Sequence, residues 1–303
     1  MKNNFSRNVG QKPRLTPFTI LLLVLLSLYA LSFLGIILWG VLVSLMDSEI
    51  YLTDPRLNFE NFTFANYAHV LSVGFSRYAS NGTQLGRVNL FGLYAYSLLY
   101  AGGCAFFGTL VPTLTAYFCA KYDYKFSKVV YNVVVLVMAI PIVGSLPAEI
   151  RVSKALGLFD HIYGLWIMRA NTLGVYFLIL YEFYKSLPNA YIEAAKVDGA
   201  SDLQILFKIA LPLVRNLFFT IFLINFVAYW NEYQVPFVYM RPYPTIAYAL
   251  YYYCDGGPGF NEVGWGSIPT SFALATLMFV PTLIVFIFTH KRLMGNLTVG
   301  GIK

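Results

Sequence analysis

Few residues in this 303-residue chain have the chemistry of a catalyst, and their spacing excludes the usual arrangements. His69, His161 and His290 are scattered over loops and helix ends, and no H-E-x-x-H stretch sets two imidazoles on one helix face for zinc. Cys104 and Cys119 fall on one predicted helix, about 22 Å apart at 1.5 Å per residue, too far for a disulfide. Cys254 reads as a lone loop thiol, and no C-x-x-C or Cys/His ligand spacing occurs. No G-x-x-x-x-G-K-[ST] loop is present to cradle phosphates, so ATP hydrolysis is not expected here. An intramembrane protease needs a nucleophile beside a histidine within its bundle, and no such pair is legible. The chain is therefore expected to hold no catalytic residue, metal or cofactor of its own.

Two other groups of polar residues remain. Asn225 and Glu232 sit in an otherwise apolar run, and an ionisable group in a span is a functional candidate by default. Glu232 lies about 24 Å along a helix from Asn216, toward the outer end. Its neighbours Trp230, Asn231 and Tyr233 offer rings that stack on a sugar, although Tyr and Trp also gather at membrane interfaces. Pro141 and Pro147, in AIPIVGSLP, are placed to bend the third apolar run near a gate, and kinks are also ordinary in membrane bundles. The second group is the water-compatible stretch NAYIEAAKVDGASDLQILFKIALPLVRN at 189–216. It reads as a helix starting near Pro188, a glycine turn at Gly199, and a second helix ending before Pro212. Ser201 and Gln204 have the spacing of a capping box, and Asp202 complements the helix dipole. The result is a rigid elbow whose small residues (Ala190, Ala194, Ala195) suit a partner's groove or a resting place on the membrane surface.

The elements that must position these residues are membrane spans. Only 12% of residues are charged against 58% hydrophobic, too few charges to cover a water-exposed surface. Residues 18–45 contain no charge and are too long for a signal-peptide core, so they read as an uncleaved first span. Five further apolar runs follow near 89–120, 127–150, 163–183, 214–238 and 267–289. The expected fold is an all-α membrane protein of six transmembrane helices. It divides into a tail at 1–17, a permease domain at 18–290 holding the loop 185–215, and a tail at 291–303. Lys and Arg set the orientation: four lie in 1–17, three in 121–128, four in 185–215 and three in 291–303. The other seven, Arg56, Arg77, Arg87, Arg151, Lys154, Arg169 and Arg241, read as on or near the outer side. This bias places both termini and the elbow in the cytoplasm. The net charge of +7 follows from it, and no basic patch interleaved with aromatics indicates nucleic acid. Of the outer segments 46–88 and 239–266, the stretch NFENFTFANYAHVLS suits an interfacial helix.

The spacing Glu193-Ala194-Ala195, Gly199, Ile209, Leu211-Pro212 fits the pattern E-A-A-x3-G-x9-I-x-L-P. In this it resembles the membrane subunits of ATP-binding-cassette importers. Residues 141–158, the stretch Trp230-Asn231-Glu232-Tyr233 and the end Leu297–Lys303 resemble the carbohydrate-uptake permeases, maltose-type importers above all. The likeness covers roughly 130 to the end and departs from the pattern at Asp160-His161, where Asn-Thr is usual.

The resemblance implies that Glu193, Ala194, Ala195, Asp198, Gly199, Ile209, Leu211 and Pro212 form the coupling helix and its support, seated in an ATPase subunit. It implies a tail contact through Thr298, Gly300, Gly301 and Lys303. It also implies a second permease, two ATPase subunits that bind ATP and magnesium, an external solute-binding protein, and a sugar carried across a bacterial or archaeal cell membrane. A same-architecture importer of a glycerol phosphate or a polyamine is the nearest alternative; an intramembrane enzyme and a passive channel are more distant ones.

Overall fold

The computed structural model describes residues 16–140, 144–254 and 267–297. The first helix, α1 (Pro17–Ser44), starts at an N-cap, where the Thr16 hydroxyl accepts the Thr19 N–H at 3.2 Å. It is apolar all round, and buries only Gly40, Val43 and Ser44, at its end. Leucines such as Leu21 and Leu25 stay more than half exposed, which is stable only where the solvent is lipid. Among the described residues, four helices are long and apolar enough to cross a membrane: Pro17–Ser44, Leu90–Lys121, Asp202–Asn231 and Ile268–Thr289.

Between them the chain is more broken than hydropathy suggests. After α1 come α2 (Ser48–Thr53), a turn at 59–61 and α3 (Ala65–Ser72). The residues after α3 form a hairpin of β1 (Phe75–Tyr78) and β2 (Gln84–Val88), so the fold is mostly but not wholly helical. The strands pair antiparallel from Phe75↔Val88 to Tyr78↔Gln84, with an irregularity after Arg77, opposite Gly86 at φ +106. Ser80, in the hairpin turn, donates to both Asp160 carboxylate oxygens at 2.5 and 2.6 Å. Asp160 holds φ +62, which short polar side chains tolerate best.

Helix α4 (Leu90–Lys121) is the hub, packing on both the following helices and the C-terminal half. Asn89 caps it by accepting the Gly92 N–H at 2.9 Å. The third apolar run does not bend but stops: α5 (Lys125–Ala139) ends, and α6 (Leu146–Ala155) begins anew, with Pro147 exposed in its first turn, where a missing N–H costs nothing. Pro141 lies outside the described residues.

The fourth run is likewise split into α7 (Ile162–Arg169) and α8 (Val175–Ser186). The Asn171 carboxamide accepts the Leu173 N–H at 3.1 Å, an Asx turn that competes with helix. The elbow follows as α9 (Ala190–Val197) and α10 (Asp202–Ile205).

The second elbow helix does not end before Pro212. It passes through a widened π turn at 206–210 directly into α11 (Leu211–Asn231). Pro212 lacks an N–H and its ring would clash with a normal preceding turn, so the widened turn admits it without breaking the rod. The fifth run breaks at Glu232 before α12 (Gln234–Tyr239). Cys254 ends α13 (Ile246–Cys254) rather than standing in a loop, and α14 (Ile268–Leu297) closes the chain.

Among the described residues, three buried clusters hold these pieces together. Around the hairpin, Phe75 meets the edges of Tyr248, Tyr252 and Tyr253 at 5.3–5.7 Å, beside Trp230 and Leu274. Near the elbow, Tyr117, Phe177, Tyr184, Leu206 and Val214 pack together. Between α4 and α7, Tyr100, Cys104 and Leu165 meet Tyr239 and Met240. There α7 comes so close that a Cβ on Gly103 would overlap the Trp166 indole, whose Nε1–H donates to the Leu99 carbonyl at 2.9 Å.

Candidate functional site

Two places gather the residues of interest, the elbow and a polar cavity inside the bundle. The elbow's turn follows from Gly199. At φ +78 it lets its N–H reach the Lys196 carbonyl at 3.0 Å, while the Ala200 N–H reaches Ala195 at 2.9 Å. These two bonds close α9 as a Schellman cap, with Asp198 as the last cap residue. Ser201 and Gln204 then make the capping box in full, each side chain bonded to the other's backbone N–H at 3.4 and 2.9 Å.

Contacts to α4 and the residue after it seat the elbow on the bundle. Lys121 Nζ donates to the Leu187 carbonyl at 2.6 Å and to Asn189 at 3.0 Å. The Tyr122 hydroxyl donates to Asp202 at 2.9 Å. Burial, and then that bond to a carboxylate, raise the Tyr122 phenol above its ordinary pKa. Ile205, Leu206 and Ala210 are buried; Leu211 and Ile209 are half-buried.

The opposite side of the elbow is open. Glu193, Ala194, Asp198, Gly199 and Pro212 are exposed, and Ala195 is buried beneath them. Val197 is 88% exposed, and Tyr191, Leu203 and Phe207 are each more than half exposed. The last three lie off the motif, so residue spacing did not single them out; only their lack of cover does. Beside the elbow a cavity of about 430 Å³ is lined by Lys121, Lys128, Tyr131 and Tyr181 among others.

The second place is a cavity of about 220 Å³ between α4, the α7–α8 break and α11. Its walls include Gly108, Pro112, Arg169, Thr172, Asn225 and Tyr229. The Asn225 carboxamide donates to Thr109 at 3.2 Å, both side chains being buried. Thr172 pairs with Thr115 at 2.6 Å, pinning the break to α4. Pro112 has no N–H to donate to the Gly108 carbonyl one turn back. The Arg169 guanidinium lies over the Tyr229 ring at 5.7 Å. It is therefore inside the bundle, not among the outer-side charges where spacing along the sequence had placed it.

Of the residues singled out for a path or gate, only Asn225 lines this cavity. Trp230 is buried elsewhere, its indole donating to the Met278 carbonyl at 3.1 Å. Asn231 is exposed and bonds back to Val227 at 2.8 Å. The Glu232 carboxylate accepts the Gln234 N–H at 3.1 Å, at the start of α12. Tyr233 stacks on Tyr251 at 4.2 Å between centroids. Thr298, Gly300, Gly301 and Lys303 lie outside the described residues. Among the described residues no cluster of His, Cys, Asp and Glu is arranged to hold a metal ion.

Comparison with known proteins agrees with this architecture. The chain is 31% identical over 171 residues to the polygalacturonan/rhamnogalacturonan transport system permease protein YtcP of Bacillus subtilis (strain 168), spanning 53% of this chain and 59% of that one. It is 25% identical over 295 residues to the trehalose/maltose transport system permease protein MalG of Thermococcus litoralis, spanning 94% and 96%.

Among solved structures, a chain of a bacterial ABC transporter involved in the import of the acidic polysaccharide alginate superposes with a TM-score of 0.73. That match has 24% identity and covers 92% of this chain and 99% of that one, a likeness of fold. Residues 108–288, from the middle of α4 into α14, match the family described as binding-protein-dependent transport system inner membrane component. With that match across more than half its length, and with apolar helices that only a bilayer can solvate, the chain belongs to this family of membrane-embedded transport subunits.

Proposed function

We propose that this chain is one permease subunit of an ATP-driven, binding-protein-dependent importer of sugars or oligosaccharides. The observation that carries the proposal is the elbow. A Schellman cap, a capping box and contacts from Lys121 and Tyr122 preorganise it, yet the described residues leave Tyr191, Val197, Leu203 and Phe207 more than half exposed. A passive channel has no use for such a part, whereas a subunit driven by a separate motor needs one.

In this reading the exposed face of α9 and the α10 turn, with Glu193 and Gly199, sit in a cleft of an ATPase subunit that binds ATP and magnesium. Closure of two such subunits pulls the elbow. Because α10 runs unbroken into α11, the pull reaches the bundle as rigid-body motion and the spans rock between inward- and outward-open states. The four long helices, joined by α5–α6 and the broken α7–α8 pair, make up six crossings with both termini in the cytoplasm. A second permease of similar kind and an external solute-binding protein complete the assembly.

The relatives' names support a carbohydrate cargo, from melibiose and raffinose to polygalacturonan. They include neutral and acidic glycans alike, and so leave the cargo's charge open. The deciding experiment is reconstitution of the four-subunit assembly with its binding protein, followed by ATPase assays over a panel of sugars. Stimulation by at least one sugar, and none without the permease pair, is the expected result. Solute movement by the purified chain alone, without nucleotide hydrolysis, would defeat the proposal.

A further inference from the structure

The cavity at the α7–α8 break contains a charge that the fold does not use. Gly108 is about 20 Å from the inner end of α4, and Asn225 about 20 Å from the start of α11, so two helices independently put the cavity deep in the bundle. Arg169 is half-buried on its wall. Among the described residues no carboxylate comes within 4.0 Å of its guanidinium, and no hydrogen bond engages it. Glu232, three residues beyond Tyr229, spends an oxygen on the Gln234 N–H instead. The contact with the Tyr229 ring satisfies none of the five N–H donors.

A charge inside a membrane bundle is costly, and such residues face partners or a solute path. The rest of the wall offers what a sugar ring needs. Asn225 and Thr172 are hydroxyl partners, and Tyr229 has an aromatic face. At about 220 Å³ the space falls short of the roughly 300 Å³ of a small drug site, so it fits one ring and not a whole oligosaccharide.

We propose that this cavity is a solute subsite for an acidic sugar, in which Arg169 receives the carboxylate of a uronate-type ring. The planar fork of the guanidinium matches a carboxylate through two parallel hydrogen bonds. A phosphate monoester with nearly two charges would be only half compensated, since no second cation lines the wall. A neutral sugar's hydroxyls could accept from the guanidinium but would bring no negative charge to balance it.

This inference rests on the importer reading, and one experiment separates the two. The reconstituted assembly is assayed for sugar-stimulated ATPase and uptake with neutral, uronate and phosphorylated mono- to tetrasaccharides. The expected best cargo is a uronate. Arg169→Gln should lower uronate uptake about ten- to a hundredfold, and Arg169→Lys should lower it less. Recovery of the intact complex by gel filtration verifies that each variant folds. Stimulation by no sugar of any kind would sink the importer reading and this one with it. Preference for a neutral or phosphorylated sugar would sink only the acidic subsite. A uronate preference that Arg169→Gln leaves intact, or lost together with residual neutral uptake, would remove Arg169 from the role.

Discussion

Two glycines make opposite demands on their surroundings. Gly199 has open space around it, but its φ of +78 belongs to the left-handed region that side chains avoid. Gly199→Val therefore costs about 1–2 kcal/mol through the backbone alone and shifts the elbow. Sugar-stimulated ATPase should fall sharply at normal expression, and unchanged transport would show that the turn does not need glycine. Gly103 is the reverse, helical and ordinary in φ but pressed against Trp166.

Gly103→Ala should lower the melting temperature of the solubilised protein through an overpacking cost of about 1–3 kcal/mol. Gly102→Ala, with nothing within 4 Å, should leave it unchanged or raise it. The role of Gly199 was legible from its place after a helix and before a cap. That of Gly103 was not, because its partner lies on another helix 63 positions on. Arg169 was missed for a similar reason: counting charges by segment assigns a side of the membrane but never a depth.

At the scale of elements, the elbow was the most legible part of the chain. The Ser201 and Gln204 side chains each bond the other's backbone N–H, and such local chemistry is written in order along the sequence. Ser201→Ala should cost about 0.5–2 kcal/mol and speed hydrogen exchange of the amides at 202–205, leaving those of α4 as they are. Equal exchange in both proteins would mean that the contacts of Ile205 and Leu206, not the cap, hold α10. Glu193→Lys reverses a charge on the exposed face of α9 and should weaken copurification with the ATPase while the bundle stays folded. Full recovery of the complex would show that this face is not the contact.

The splits at 140–145 and 170–174 were blurred because hydropathy is averaged over about 19 residues, longer than either gap. Asn171 and Gly174 mark the second gap in retrospect. The hairpin at 75–88 was hidden by its setting, since Phe75 finds its apolar cover on α13 while β2 is exposed from Gln84 to Arg87.

For the whole molecule, composition alone indicated a membrane protein, since so few charges cannot cover a surface in water. Orientation is open to a direct test with the chain's own thiols. Cys254 is exposed and Cys104 buried. An impermeant maleimide added to intact cells should label Cys254 and spare Cys104. In a Val197→Cys protein, the added thiol should react only after the membrane is opened. Labelling of both exposed sites from the same side would overturn the proposed topology.

The first helix bears on how the assembly meets its surroundings. From residue 17 to residue 38, about six turns, α1 buries none of its side chains against the described residues. Among the described residues the grip comes at its foot, where Trp39 meets Phe272 at 5.3 Å and Gly40 lies against the same ring. Exchanging those six turns for another apolar stretch of equal length would therefore cost the interior nothing. What it would alter is the company the bundle keeps on that flank, lipid tail or neighbouring subunit, so this stretch is free to drift in sequence wherever bilayer thickness or the choice of neighbour differs.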